Sequence, residues 1–309
     1  MEPYFRSKPI HPETWLIEAE GCTVYLLVGD EQGLVIDTGY SAKNIRAYAQ
    51  SLTDKPVNMV ANTHGHFDHT ADNGWFDCAY MSEAAAKTAK IPYPSLRDRY
   101  YKTDYPIVTI TDGFKFELGN RQVEVFDIPA HSSSLAFLDK RERILFSGDE
   151  VGPMVNLRDI VQYEKNMQKL MARRSEYDYV CAGHAKEMLF ASIVDCCLAN
   201  AQHILAGNEG EPMQFRGPRP EEKLPVYVMW DPAWDWPRPG DLPHDKKGNE
   251  HPQPMGNMRS SMYADVCLNY DADTIKRRLG GCRGETDYER RRIESPGQHQ
   301  HRQSCGILY

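Results

Sequence analysis

The stretch that most limits what this chain can become is Thr63-His64-Gly65-His66-Phe67-Asp68-His69. Four of its seven residues are good metal ligands. Imidazole suits zinc, iron and related ions, and a carboxylate adds the negative charge that holds a second cation. His64 and His66 are two apart, so on extended backbone they point the same way. Asp68 and His69 are neighbours, and both reach inward only if the chain turns there. The spacing therefore predicts a loop leaving a strand, with one pair of side chains for each of two adjacent metals. The run Val57-Asn58-Met59-Val60-Ala61-Asn62, apolar and partly β-branched, supplies that strand. A single histidine here would read as a polar loop residue. Three with an aspartate read as a metal or catalytic site.

A chain of 309 residues with 41% hydrophobic content can bury a large core, as one domain with appendages or as two domains. Its net charge of -8 argues against a general nucleic-acid binder. No apolar run is long enough to span a bilayer, and residues 1–8 lack the apolar core of a signal peptide. The cysteines, at 22, 78, 181, 196, 197, 267, 282 and 305, form no CxxC pair and lie mostly in apolar segments. They read as reduced, core-filling residues of a cytoplasmic protein.

The first half of the chain reads as two strands over 14–29 turning at Glu20-Gly21, a buried strand over 33–37, a helix over 42–52 and the strand into His64. A short strand over 78–81 and a helix over 83–90 follow. Residues 94–105 read as a loop in which Tyr100, Tyr101 and Tyr105, with Tyr93 just before, mix with Arg97, Arg99 and Lys102. Such a mixture can line a pocket or serve as a solvated connector. Strands are predicted over 107–110, 122–128, 135–138 and 144–146, a helix over 157–174, a strand over 179–182 and a helix over 189–205. The expected catalytic domain is therefore 1–206. An extension over 207–275 begins rich in Gly, Pro and Glu and has strands over 226–230 and 263–270. Its Trp230, Trp234 and Trp236 suggest a lid over the cleft or a homodimer contact, with plain packing against the outer helices as the bland alternative. Residues 276–309 lack any core-forming pattern and read as a disordered tail.

Three further segments each place a ligand-type residue just past an apolar strand, where layered α/β folds assemble their sites. Phe126-Asp127-Ile128-Pro129-Ala130-His131 delivers His131. Ile144-Leu145-Phe146-Ser147-Gly148-Asp149 delivers Asp149. Tyr179-Val180-Cys181-Ala182-Gly183-His184 delivers His184.

With these residues in family order, the chain resembles the metallo-β-lactamase-fold superfamily over residues 15–205. His64, His66, Asp68 and His69 match its HxHxDH motif, and Val35-Ile36-Asp37-Thr38-Gly39 matches its early strand. The resemblance implies an α/β fold, a four-layer αββα sandwich. It implies one metal held by His64, His66 and His131, a second by Asp68, His69 and His184, Asp149 bridging them, and Asp37 orienting ligands from behind. Ala130 stands where the family usually has glycine before the histidine. The commonest β-lactamases carry Cys at the position of Asp149, and flavodiiron proteins carry Glu at that of His66. The pattern is most similar to the glyoxalase II, lactonase and phosphodiesterase branches, and no basic arm suits a tRNA-processing nuclease.

The expected activity is a dinuclear metal-dependent hydrolase acting on a small-molecule thioester, lactone or related ester through a metal-bridged hydroxide. Asp68 is its expected catalytic residue, orienting the water and taking up its proton. Zinc is the first choice of metal, then iron or manganese. The alternatives are an iron-dependent persulfide dioxygenase-like oxidoreductase, a phosphodiesterase of the same fold, and a metal-binding scaffold without activity.

Overall fold

A computed structural model describes residues 4–91, 99–212 and 258–275. The expected strand over 226–230, the three tryptophans of the extension, Tyr93, Arg97 and the 276–309 tail lie outside the described residues.

Alternation of apolar side chains builds two buried sheets. The first has seven strands in sequence order: β1 (Arg6–His11), β2 (Thr14–Glu18), β3 (Thr23–Val28), β4 (Gly33–Ile36), β5 (Val57–Ala61), β6 (Cys78–Met81) and β7 (Ile107–Thr109). β1 to β4 are antiparallel neighbours, and β4 to β7 run parallel. The second half of the chain adds β8 (Lys115–Glu117), β9 (Gln122–Asp127), β10 (Leu135–Asp139), β11 (Ile144–Gly148), β12 (Met154–Leu157), β13 (Tyr179–Ala182) and β14 (Leu189–Phe190). All of these except β12 form a second sheet in the order β14-β13-β11-β10-β9-β8.

Every residue of β3 is buried because both faces are covered. Its Tyr25 and Leu27 meet Phe137 and Phe146 of the opposing sheet. Val24 and Leu26 face outward, in a core shared with Ile45, Ala49 and Ala85 of the helices α1 (Ile45–Gln50) and α3 (Glu83–Ala86). The outer face of the second sheet, with Ala136, Leu145 and Val180, packs on α4 (Ile160–Met171) and α5 (Ser192–Leu205). This is the αββα layering. One fully buried arginine ties the sheets: Arg121 donates to Asp139 (2.6 Å), Thr14 Oγ1 (2.6 Å) and the carbonyls of Glu13 and Val28.

Several element ends differ from the sequence expectation. Leu157 belongs to β12, and α4 begins at Ile160 because the Asp159 side chain accepts from Gln162 N. The expected single strand over 263–270 is a hairpin, β16 (Met258–Tyr263) and β17 (Val266–Asp271). Ala264 and Asp265 turn it with positive φ, the geometry that matches strand twist. With β12 and the short β15 (Glu211–Pro212), this hairpin forms a third sheet, ordered β12-β17-β16-β15. Val266, Leu268 and Tyr270 enter the core around α4 and α5. Cys22, Cys78, Cys181, Cys197 and Cys267 are free thiols, as expected. Cys196 is not: it is disulfide-bonded.

Candidate metal centre

Strand direction gathers the predicted residues at one edge of the sandwich. β4 and β5 are parallel, so Asp37 and the 62–66 loop leave the first sheet side by side. β9 and β11 each run antiparallel to β10, and β13 runs parallel to β11, so β9, β11 and β13 share one direction. His131, Asp149 and His184 therefore follow three strand ends on the facing sheet. Leu135 N donates to Thr63 O (2.6 Å) and closes the two edges together.

The turn that brings Asp68 and His69 inward is α2 (Phe67–Thr70). Phe67 buries against Tyr40, Ala71 and Tyr101, and Thr70 Oγ1 bonds to His66 O and Ala89 O. His69 is held from behind, since Asn62 Nδ2 and Thr38 N both donate to its carbonyl at 2.9 Å.

Ring orientations follow from the hydrogen bonds on the far nitrogens. His69 Nδ1 lies 2.8 Å from Asp37 Oδ2, and His131 Nδ1 lies 2.6 Å from the carbonyl of Asn156. Thr63 Oγ1 donates to Asp37 (2.7 Å), so it accepts from His64 Nδ1 (3.0 Å). In all three rings Nδ1 is engaged from behind, so Nε2 is the atom aimed at the centre. His64 Nε2 and His131 Nε2 approach His66 Nδ1 at 2.9 and 3.1 Å. His64, His66 and His131 thus form one donor group, and Asp68, His69 and His184 another. Asp149 reaches both, 3.6 Å from His131 Nε2, 3.5 Å from His69 Nε2 and 3.1 Å from His184 Nε2. Asp68 Oδ2 lies 3.7 Å from the Nε2 atoms of His69 and His184. His184 is the most open of the set, its side chain half exposed.

The electrostatics suit cations. Burial pushes His66 and His131 down to about 4, and His64 well below its ordinary value, so these rings present neutral lone pairs. Burial also works against charge on His69, but Asp149, Cys22, Asp68 and Asp37 outweigh it and raise its pKa. Asp149 is penalised by burial, yet His69 and His184 hold it well below the carboxylate range. His69 Nε2 and Asp149 Oδ1 are both buried and make no hydrogen bond. Two buried polar atoms 3.5 Å apart without a hydrogen bond are costly, and a cation bound there would satisfy both. Gly183 keeps the space: a Cβ there would overlap Asp149 Oδ1.

Sequence reasoning passed over three residues of this centre. Glu150, fully buried, accepts from Ala130 N (2.9 Å) and His131 N (2.7 Å) and so fixes the loop that lacks the family's glycine. Its position beside Asp149, opening onto apolar Val151, was the available signal. Thr63 links Asp37 to His64. Cys22 lies against Asp37 and His69, and burial pushes its thiol up to about 11.

A profile of the metallo-beta-lactamase superfamily matches residues 17–184, more than half of the chain. The chain belongs to the metallo-β-lactamase superfamily. Membership implies divalent metal ions, and the converging donors fit them. The acyl-coenzyme A thioesterase MBLAC2 of Bos taurus is 32% identical over 161 residues, 41% of this chain and 57% of that protein. The chain thus matches little more than half of that relative's length. The Gallus gallus protein of the same name is 28% identical over 224 residues, 59% of this chain and 80% of its own. The crystal structure of the DIM-1 metallo-β-lactamase superposes with a TM-score of 0.51 at 16% identity, covering 65% of this chain and 98% of that one, a likeness of fold. Among the described residues no helix is long and apolar enough to cross a membrane.

Proposed function

We propose that this superfamily member is a dinuclear metal-dependent hydrolase of acyl thioesters. The observation that carries the reading is the buried pair His69 Nε2 and Asp149 Oδ1, 3.5 Å apart and neither hydrogen-bonded, between two donor groups. His64, His66 and His131 would hold one ion and Asp68, His69 and His184 the other, with Asp149 shared and zinc the first choice of metal. Such ions supply water of lowered pKa and polarise the carbonyl under attack. Asp68 would orient water there and take up its proton. Asp37 and the Asn156 carbonyl keep the His69 and His131 rings turned toward the centre.

Thioesters are favoured over other esters by the named activity of the MBLAC2 relatives. Chemistry agrees, because a thiol of pKa ~8.5 departs as thiolate without a proton donor. The test is metal analysis of native protein followed by a panel of acyl-coenzyme A, lactone, β-lactam and phosphodiester substrates. Thioester turnover that a chelator abolishes and metal restores is expected. Metal-replete protein that cleaves only another member of the panel would overturn the thioester reading.

A further inference from the structure

A cleft of ≈ 530 Å³ opens beside the metal centre, between the β2–β3 turn, the loop after β4 and the segment from Arg99 to Lys102. Its volume lies within the about 300–1,000 Å³ typical of small-molecule sites. It adjoins the centre through two contacts. The Tyr101 ring, in its wall, meets the Phe67 ring edge-on at 4.8 Å, and Phe67 precedes Asp68. At the β2–β3 turn, a Cβ on Gly21 would lie 3.1 Å from Asp68 Cβ.

The lining pairs cations with aromatic faces. Lys102 Nζ sits 3.7 Å from the centroid of the Trp75 ring, and Lys43 Nζ sits 5.6 Å from that of Tyr4. Neither ammonium forms an ion pair with a carboxylate among the described residues. The two carboxylates of the lining are already engaged: Glu20 with Arg99 (2.7 Å) and Tyr4, Asp72 with Ser41 (2.6 Å). Lys43, Arg99 and Lys102 outnumber Glu20 and Asp72 in the lining, so its charge is positive, and the Tyr100 ring, 82% exposed, is an open aromatic surface. Ammonium groups receive phosphate as point charges, and aromatic faces stack on a planar base.

We propose that this cleft is a subsite for a phosphorylated nucleoside, the coenzyme end of an acyl-coenzyme A whose thioester carbonyl lies at the metal centre. This rests on the thioester reading above, with a ligand class and residues of its own: Lys43, Lys102 and Tyr100. The described part of the tyrosine- and arginine-bearing loop noted in the sequence, Arg99 to Lys102, then has a role in binding the remote end of the substrate. Contacts to the non-reacting end of a long substrate can serve binding and positioning.

The experiment compares wild type with Lys43→Glu and Lys102→Glu in two assays. Both lysines are exposed, so charge reversal leaves the core alone. The first assay measures kcat/KM for an acyl-coenzyme A and for the same acyl group on N-acetylcysteamine, which lacks the nucleotide. The ratio of the two should fall roughly tenfold in each variant, the scale of one charged hydrogen bond. The second measures binding of adenosine 3′,5′-bisphosphate to the metal-loaded protein by calorimetry. Binding should weaken roughly tenfold in each variant and also with added salt. An unchanged ratio, or no nucleotide binding by wild type, overturns the subsite. Wild type that binds the nucleotide through these lysines yet cleaves neither thioester leaves the subsite standing and removes the thioester reading.

Discussion

Asp37 and Thr63 are joined twice: the carboxylate accepts from Thr63 N at 2.8 Å and from Thr63 Oγ1 at 2.7 Å. The oxygen that takes the Thr63 hydroxyl also faces His69 Nδ1, so one side chain orients the loops on both sides of the histidine motif. Asp37 does this with φ at 59°, a conformation Asn tolerates nearly as well. Asp37→Asn should therefore keep the fold while offering an amide where an acceptor is needed. Metal affinity should fall about 10- to 100-fold, as for other lost partners of metal-binding histidines. Chelator competition measures it, and unchanged affinity would make Asp37 a loop anchor only.

The donors were legible because they are side chains at the ends of apolar runs such as Ile144-Leu145-Phe146 and Tyr179-Val180-Cys181. Their supports were not. His131 is oriented by the carbonyl of Asn156, and a carbonyl leaves no mark in the sequence. β1 is a partly exposed edge strand carrying Arg6 and Lys8, charges that edge strands use and that hide their periodicity. The sequence carries no sign of β12, of which only Leu157 reads as helical, because its partner β17 lies more than 100 residues away, beyond any local pattern. Leu157 fitted the helical spacing by coincidence.

Glu150 gives a second prediction. It is the acceptor for two buried amides, those of Ala130 and His131, and each amide left unsatisfied costs about 1–3 kcal/mol. Glu150→Ala should destabilise the protein by a few kcal/mol on that scale and loosen the metal held by the His131 group first. Glu150→Gln keeps one carbonyl oxygen and should be milder on both counts. Denaturant melts and stepwise metal titration separate the two effects. Equal loss of both metals would argue against a loop-specific role.

The Arg121–Asp139 pair tests what holds the two sheets at their far edge. Both side chains are fully buried, and the guanidinium also satisfies the Glu13 and Val28 carbonyls. Arg121→Met strands the Asp139 charge and should cost about 3–5 kcal/mol. Adding Asp139→Asn to that variant should recover part of the loss, because the stranded charge is gone. A single variant within about 0.5 kcal/mol of wild type, the range of ordinary surface changes, would contradict this.

Asp72 predicts a pH dependence of stability. Burial is the main cause that raises its carboxyl from 3.8 to about 7, against the Ser41 hydrogen bond, which lowers it. The folded state therefore binds a proton that the unfolded state has released between these values. Stability from this group is fully present below pH 3.8 and is lost as pH rises through about 7. Its slope is at most about 1.4 kcal/mol per pH unit. Asp72→Asn cannot titrate, so the stability of wild type minus variant should fall between about pH 4 and pH 7. Taking the difference cancels the pH dependence of metal binding common to both proteins. A flat difference across that window would show that Asp72 is ionised throughout.

Asp149 offers the sharpest test of the centre. Its Oδ2 meets His184 at 3.1 Å, and its Oδ1 is buried, without a hydrogen bond, opposite His69 Nε2. A carboxylate shared by two cations lets one charge serve both and suits the ~3.5–4 Å separation of two-metal sites. Asn is nearly the same shape, so packing around Gly183 is preserved, but it offers one neutral oxygen and a donor amide. The ions would then repel with less compensation. Asp149→Asn should lose at least one metal and cut hydrolysis by orders of magnitude. Phe126→Leu is the matched control in the adjoining core, expected to cost on the order of 1 kcal/mol and to leave metal content alone. If Asp149→Asn kept two metals and near-normal turnover, Asp149 would be an ordinary strand-end carboxylate. The shared-carboxylate account of the site would then fail, whatever the substrate proves to be.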